Sequence, residues 1–273
     1  TRGPEYPRPF KQILDEAKHL INNGSREIIL LGQNVNAYDF EGLRLSNLIL
    51  EIEKISGLDR IRYTTSHPKD MTDDLIEIYK SSKKLMPLVH LPVQSGSDKV
   101  LKLMNRKHTI KKYLDIFNKL KNINANIQFS SDFIISYPGE DENDFKNTLE
   151  LIDEVKFINS FSFIFSPRPG TVASEFPTMA KKDSLKKLET VQEKLFINQT
   201  KMNKSLENTI QNILVENRMD DKTKLFGRSE HMTSVLFNGS DDLIGKIVKV
   251  KIISSNRNNL FGELIDRSNQ KVA

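Results

Sequence analysis

Five short segments hold most of the side chains in this sequence that could do chemistry. They are Gly32-Gln33-Asn34-Val35-Asn36, Ser66-His67-Pro68, Gln94-Ser95-Gly96-Ser97, Tyr137-Pro138-Gly139-Glu140 and Ser166-Pro167-Arg168-Pro169-Gly170-Thr171. Amides, hydroxyls, a histidine and an arginine can hold a polar ligand by hydrogen bonds and charge. They do not make an obvious acid–base pair of the sort a self-contained hydrolase or isomerase needs. Cysteine is absent, which removes disulfides, thiolate metal sites and cysteine nucleophiles together. The five histidines (His19, His67, His90, His108, His231) have no pair at i and i+4, so no protein-only metal site is expected.

The elements that must position these segments are legible from apolar spacing. Each segment follows a short apolar run: Ile28–Leu31, Ile61–Thr65, Leu88–Val93, Ile127–Ser136 and Phe161–Phe165. These runs read as strands. Between them apolar residues recur at spacings of three and four, as in Phe10, Ile13, Leu14, Ala17, Leu20 and Ile21, or Leu45, Leu48, Ile49, Ile52 and Ile55. Further helical stretches are expected at 75–79, 100–104, 113–120, 145–155 and, as one long helix, 185–196. Strands alternating with helices imply parallel strands joined by right-handed crossovers. Function in such sheets gathers at the carboxyl ends of the strands, which is where all five polar segments fall. The first recognisable element is a helix, so a strand is expected upstream of it.

Strand-to-helix loops need Gly, Pro and capping residues anyway. That need accounts for Ser97-Asp98 and Gly139-Glu140-Asp141, but not for Gln33, Asn34, Asn36 or His90. His90 is either a histidine satisfied by a neighbour or a substrate contact. Arg168 is either an anion clamp or a surface charge. The pairs Lys181-Lys182 and Lys186-Lys187 read as a solvated helix face.

After about Ser205 the rhythm changes to short strands: 210–215, 223–226, 234–237, 244–253 and 260–265. Turns separate them at Asp220-Asp221, 238–242 and 256–259. That spacing fits a small five-stranded β-barrel. The expected division is 1-204 and 205-273. The net charge is +5, which permits nucleic-acid binding without requiring it. From residue 205 on, 10 Lys+Arg stand against 9 Asp+Glu, so charge does not mark the tail as RNA-binding. No apolar run approaches the roughly 18–20 residues of a membrane span. Thr1-Arg2-Gly3-Pro4 is neither a signal peptide nor a start methionine. A cytoplasmic location and a fragment of a longer protein are the expectations.

Taken in order, Leu31–Tyr38, Thr65–Pro68, His90–Ser97, Met104-Asn105-Arg106, Tyr137–Glu140 and Ser166–Thr171 resemble the MiaB-type radical-SAM tRNA methylthiotransferases. The resemblance covers essentially the whole chain. In the tail, Ile213–Glu216, Gly227-Arg228-Ser229 and Leu243-Ile244-Gly245 resemble the family's RNA-binding TRAM domain. There Glu207 departs from a usual glycine, and His231-Met232 from an asparagine-rich turn. The resemblance implies an α/β fold: a partial parallel radical-SAM barrel missing its first strand, followed by a TRAM barrel.

It also implies two 4Fe-4S clusters whose cysteine ligands lie outside this chain, one of which binds S-adenosylmethionine. The implied reaction adds a methylthio group to C2 of isopentenyl-adenosine beside the tRNA anticodon, through a 5′-deoxyadenosyl radical. Related branches act on ribosomal protein S12 or on another modified adenosine, and the segments at Gly32–Tyr38 and His90–Ser97 favour the first. By position, Gly32, Gln33, Asn34, Gln94, Ser95, Ser97, Asp132 and Gly139 are the implied cofactor-binding residues. His67, His90, Arg106, Arg168 and Arg228 are the implied substrate-binding residues. Partners are tRNA and an electron donor, with no membrane, and the full-length protein is expected to be a monomer. The isolated chain is expected to be inactive. A cluster-less RNA-binding remnant is the competing reading, and a phosphate-binding barrel enzyme is the last.

Overall fold

A computed structural model describes residues 6–220 and 223–265. Thr1–Pro4 and Asp221 of the expected Asp220-Asp221 turn lie outside the described residues. The chain divides into two compact units. The first holds the described residues up to Lys156 together with Ser160–Lys194, and the second holds Phe157–Asn159 and the described residues from Leu195 on.

In the first unit the order is α1 (Phe10–Asn22), β1 (Glu27–Leu30), a two-rung hairpin of β2 (Asp39–Phe40) and β3 (Leu43–Arg44), α2 (Leu45–Glu53), β4 (Arg60–Tyr63), α3 (Asp73–Ser81) and β5 (Leu88–His90). Then come α4 (Asp98–Leu103), α5 (Ile110–Ile123), β6 (Gln128–Ser130), β7 (Asp132–Ile135), α6 (Glu142–Val155), β8 (Phe161–Ile164) and the start of α7 (Lys181–Ser205). The pairs β1–β4, β5–β6 and β7–β8 are all parallel. Parallel bridges Ile61–Leu85 and Gln94–Phe133 join the pairs in chain order. The parallel strands are those the alternation predicts, and their arrangement is the partial β/α barrel that the resemblance implies.

Side chains alternate across each strand, so one face is buried under the helices and the other faces the barrel interior. Val89, Phe129, Phe133 and Ile135 are essentially inaccessible on the helix side. The Tyr113 hydroxyl of α5 donates to the Leu91 carbonyl at 2.9 Å, and the Tyr79 hydroxyl of α3 donates to the Tyr63 hydroxyl at 3.0 Å. Buried hydroxyls are thereby satisfied where helix meets sheet.

The expected single strand 127–136 is broken at Ser131. Its hydroxyl accepts the Val93 N–H at 2.9 Å, while its own N–H donates to the Ser160 hydroxyl at 2.9 Å. A side chain has replaced a backbone rung, so the ladder restarts at Asp132. The long helix also exceeds the expected 185–196 at both ends, spanning Lys181–Ser205.

The second unit contains the end of α7 and β9 (Ile210–Arg218), β10 (Leu225–Arg228), β11 (Ser234–Phe237), β12 (Ile247–Ser255) and β13 (Asn259–Leu264). These five strands close into a barrel in the order β10-β11-β13-β12-β9. Ile213, Val215, Leu225, Val235, Phe237, Val250, Ile252 and Leu260 fill it. Alternation at 247–252 is what the sequence shows, because inward residues must alternate with outward ones in a small barrel. The expected strand 244–253 begins later, at Ile247, because the Gly245 N–H donates to the Val215 carbonyl in a turn. Among the described residues no helix is long and apolar enough to cross a membrane.

Candidate functional site

Parallel strands in chain order bring their carboxyl ends to one rim of the first unit. The segment after β1 and the segment after β4 lock together there. Asn36 Nδ2 donates to the His67 carbonyl at 2.9 Å, and the His67 N–H donates back to Asn36 Oδ1 at 2.8 Å. The Val35 N–H donates to the Thr65 carbonyl at 3.1 Å, and the Thr65 hydroxyl to the Gly32 carbonyl at 2.5 Å. Asn36 is buried, so its amide serves the loops themselves. Asn34 donates through Nδ2 to Asp70 at 2.7 Å, which leaves its Oδ1 buried without a hydrogen-bond partner. The Ser66 hydroxyl is orphaned in the same way. Gly32 and Gln33 are exposed beside them. Buried polar atoms are normally paired, so two unpaired ones on neighbouring loops make this corner of the rim a candidate site.

The next segments divide into support and surface. Gln94 has a positive φ of 74° and is bonded through its backbone, its N–H to the Asp132 carbonyl and its carbonyl from the Ile134 N–H. Gly96 lies against α6 so closely that a Cβ would stand 2.5 Å from the Asn147 carbonyl oxygen and from Thr148 Cα. Ser95 and Ser97 are buried on that same side. The Ser97 hydroxyl caps α4 by accepting the Val100 N–H and donates to Asp144 Oδ1 at 2.7 Å. Ser95 lies 3.4 Å from the Thr148 hydroxyl. Burial works against ionising Asp144, yet hydrogen bonds from the Asp141 N–H, Lys99 and Ser97 hold it below the usual carboxylate range. In this structure Ser95 and Ser97 therefore hold the loop to α6.

A cluster of titratable side chains gathers from β5, β7 and the segments after β4 and α4. His90 Nδ1 is 2.6 Å from the Ser130 hydroxyl, and its Nε2 is 3.7 Å from Asp132 Oδ2, an ion-pair distance too long for a hydrogen bond. Arg106 is half-buried near Asp132; burial lowers its pKa and Asp132 opposes that. His67 accepts the Lys69 N–H on Nδ1, and its ring meets that of His108 edge-on, with centroids 5.3 Å apart. Burial first, then the Arg106 charge, pushes His67 below its ordinary value. His108 is pushed down to about 4, again by burial and then by His67. Both rings are therefore neutral at pH 7 and present hydrogen-bonding nitrogens beside a guanidinium. Spacing gave no signal for His108, because its relation to His67 is made by folding.

The segment after β7 contains a buried ionic group that sequence reasoning passed over. The Glu140 side chain is 1% exposed, accepts the Ser136 N–H at 3.2 Å and stands 3.8 Å from Lys187 Nζ. Lys187 is itself buried, 4.8 Å above the Phe145 ring and 2.8 Å from Glu142. The solvated face expected for Lys186-Lys187 is corrected at Lys187. Burial pushes the Glu140 carboxyl up to about 7, with Lys187 opposing. Gly139 forms the left-handed turn just before it, at φ 88°. Arg168 is exposed in the loop after β8. Arg228 belongs to the second unit, where it pairs with Glu216 at 3.2 Å and lies 5.1 Å from the Phe226 ring centroid.

A cavity of about 700 Å³ adjoins the rim, lined by Ile28–Asn34 and by Ile13, Ala17 and Leu20 of α1. Among the described residues no group of His, Cys, Asp and Glu could hold a metal ion. The sequence has no thiolate to ligate an iron–sulfur cluster. The residues present therefore do not fit a cluster. The unpaired Asn34 and Ser66 atoms and the exposed Gln33 are of a chemistry that pairs with the amino-acid head of a molecule such as S-adenosylmethionine.

Comparison with known proteins bears on this site. The radical SAM superfamily matches residues 1–152, and the TRAM domain matches residues 204–265. The chain is 65% identical over 277 residues to the tRNA-2-methylthio-N(6)-dimethylallyladenosine synthase of Pelagibacter ubique (strain HTCC1062), covering 100% of this chain and 62% of the relative. It is 47% identical to the synthase of that name from Ruthia magnifica subsp. Calyptogena magnifica, covering 97% and 61%. The chain thus spans about three fifths of the length of these relatives. Among solved structures, coproporphyrinogen III oxidase from Escherichia coli, a radical SAM enzyme, has a similar fold. Its TM-score is 0.53 at 12% identity, covering 94% of this chain and 65% of that one.

Proposed function

The chain belongs to the radical SAM superfamily, and from that membership we propose that it is the barrel and RNA-binding portion of a tRNA methylthiotransferase acting on an N6-isopentenylated adenosine beside the anticodon. The observation that carries the reading is the convergence of the polar segments on one rim, in a chain 65% identical along its whole length to a synthase of that name. Residues 1-204 would form the catalytic core and 205-273 the TRAM domain. The tRNA would be the macromolecular partner. An external electron donor, a cytoplasmic location and a monomeric full-length protein complete the proposal.

S-adenosylmethionine, held on a cluster that this chain has no residues to ligate, would supply the radical chemistry. The chain's own residues would bind and orient. Gln33 and Asn34, next to Ser66, would hydrogen-bond the amino-acid head. Asp132 and the backbone from Ile134 to Gly139 would flank the nucleoside. Gln94, bonded through its backbone to β7, and Ser95 and Ser97, against α6, would act from behind by fixing the loop. His67, His90 and Arg106 would meet the substrate base, and Arg168 and Arg228 its phosphates. Replacing Gln33 by Ala in a protein completed with its cluster-bearing portion should weaken S-adenosylmethionine binding on the order of tenfold, the worth of one lost hydrogen bond to a charged group. Unchanged affinity by equilibrium dialysis would remove Gln33 from the site.

A further inference from the structure

We propose that Phe161 and Phe163 form the apolar wall that receives the branched five-carbon N6 substituent of the target adenosine, so that β8 selects a prenylated base. The inference rests on the tRNA-modifying reading above and assigns it a specificity subsite.

Register puts the two rings in place. Asp132 pairs with Phe161 and Ile134 with Phe163 in the parallel β7–β8 ladder. Cross-strand partners point to the same side of a sheet. Phe161 and Phe163 therefore share the face that carries Asp132 and Ile134, and next to it His90 and Ser130. The opposite face is closed, since Phe133 and Ile135 are buried against the helices. Phe161 is 60% exposed and Phe163 55% exposed. Two neighbouring rings left open on the interior face of a barrel make an apolar surface without a partner in this unit, and such a surface marks a binding site.

The order of chemistries across the face selects the occupant. His90 and Arg106 offer the donors and acceptors that suit a purine edge. One strand further, at the ~4.8 Å spacing of a sheet, stand the phenyl rings. Beyond the carboxyl end of that strand lies the exposed Arg168, placed for a backbone phosphate. Purine, short apolar branch and phosphate occur together, in that order, in an isopentenyl-adenosine within an RNA strand. An unmodified adenosine would leave both rings in water.

The test is fluorescence anisotropy of the 273-residue chain with labelled anticodon stem-loop RNA, carrying either adenosine or N6-isopentenyl-adenosine at the target position. The expected result is a preference for the isopentenylated RNA of about tenfold or more, the discrimination a few methylenes give in an apolar pocket. Phe161→Ala with Phe163→Ala should bring that preference close to one without changing affinity for the unmodified RNA. Phe163→Leu, which keeps the apolar volume, should retain it. Because both rings are exposed, thermal unfolding of the variants should match the parent.

A preference that survives the double alanine variant would overturn the wall. Tight but equal binding of both RNAs by the parent chain would overturn it too, while leaving the RNA reading in place. Binding to neither RNA would count against the RNA reading itself, and the subsite would fall with it. A double variant that keeps the preference but loses self-association would assign the rings to contact with a second protein copy instead.

Discussion

Glu140 and His108 show how single side chains at the rim respond to pH, and they do so with opposite signs. The Glu140 carboxyl, raised to about 7 by burial, binds its proton more tightly in the folded chain than in the unfolded one. The folded state therefore holds more protons between roughly pH 4.5 and 7, and stability falls as pH rises through that window. His108, lowered to about 4, does the reverse. The unfolded chain binds its proton first, so stability falls as pH drops from about 6.5 toward 4. Where the windows overlap the two slopes oppose each other. Replacing Glu140 by Gln removes one slope and leaves the other. Denaturant unfolding from pH 5 to 7.5 should then show a variant that gains stability with rising pH relative to the parent. Parallel curves for the two proteins would show that Glu140 titrates at an ordinary value.

At this scale the sequence was informative about residue type but not about direction. Asn36 stood out as more than a turn residue, and the structure finds its side chain bonded to the His67 backbone in the neighbouring loop. Ser95 and Ser97 stood out as polar and turn out to face α6. The pairing of Glu140 with Lys187, 47 positions apart, had no local signature. Long-range contacts between charged groups are a product of tertiary structure, and a single sequence holds no periodicity that reports them.

The elements were the most legible level. The five apolar runs in the first unit all became strands, the ten-residue run at 127–136 as two, because short apolar runs bounded by turn residues have few other stable forms. The break at Ser131 was not legible, since it depends on one hydroxyl reaching the Val93 amide. Among these strands β1 and β8 each have one described partner, β4 and β7, and β1 carries an exposed apolar end. Leu31, at its end, is 73% exposed, and Ile29 is 39% exposed. An unpaired edge with apolar side chains is a template for association. The chain should therefore self-associate at tens of micromolar, and Leu31→Lys should shift sedimentation toward monomer by placing a charge at that edge. A parent chain that sediments as a monomer at high concentration would show that the edge is covered from within.

For the whole molecule, a partial parallel barrel and a five-stranded barrel occur along one chain, while the compact units divide at Lys194 and Leu195, inside the long helix rather than after it. Composition helped by exclusion: without cysteine, this chain has no thiolate to ligate an iron–sulfur cluster. Charge said little, and the assignment of an RNA partner comes from likeness to relatives rather than from a basic surface. The proposal is that this chain carries binding surfaces of a tRNA methylthiotransferase, with the cluster ligands supplied by residues this sequence does not contain.

The most direct test joins the chain to the amino-terminal portion of the Pelagibacter ubique relative, the part of that protein the match leaves uncovered. The chimera is loaded with iron and sulfide and given isopentenylated tRNA, S-adenosylmethionine and a reductant. Mass spectrometry of the digested tRNA should then show the 2-methylthio derivative of isopentenyl-adenosine, and none with the 273-residue chain alone. A chimera that loads its clusters and binds the tRNA, yet leaves the adenosine unmodified, would contradict the account.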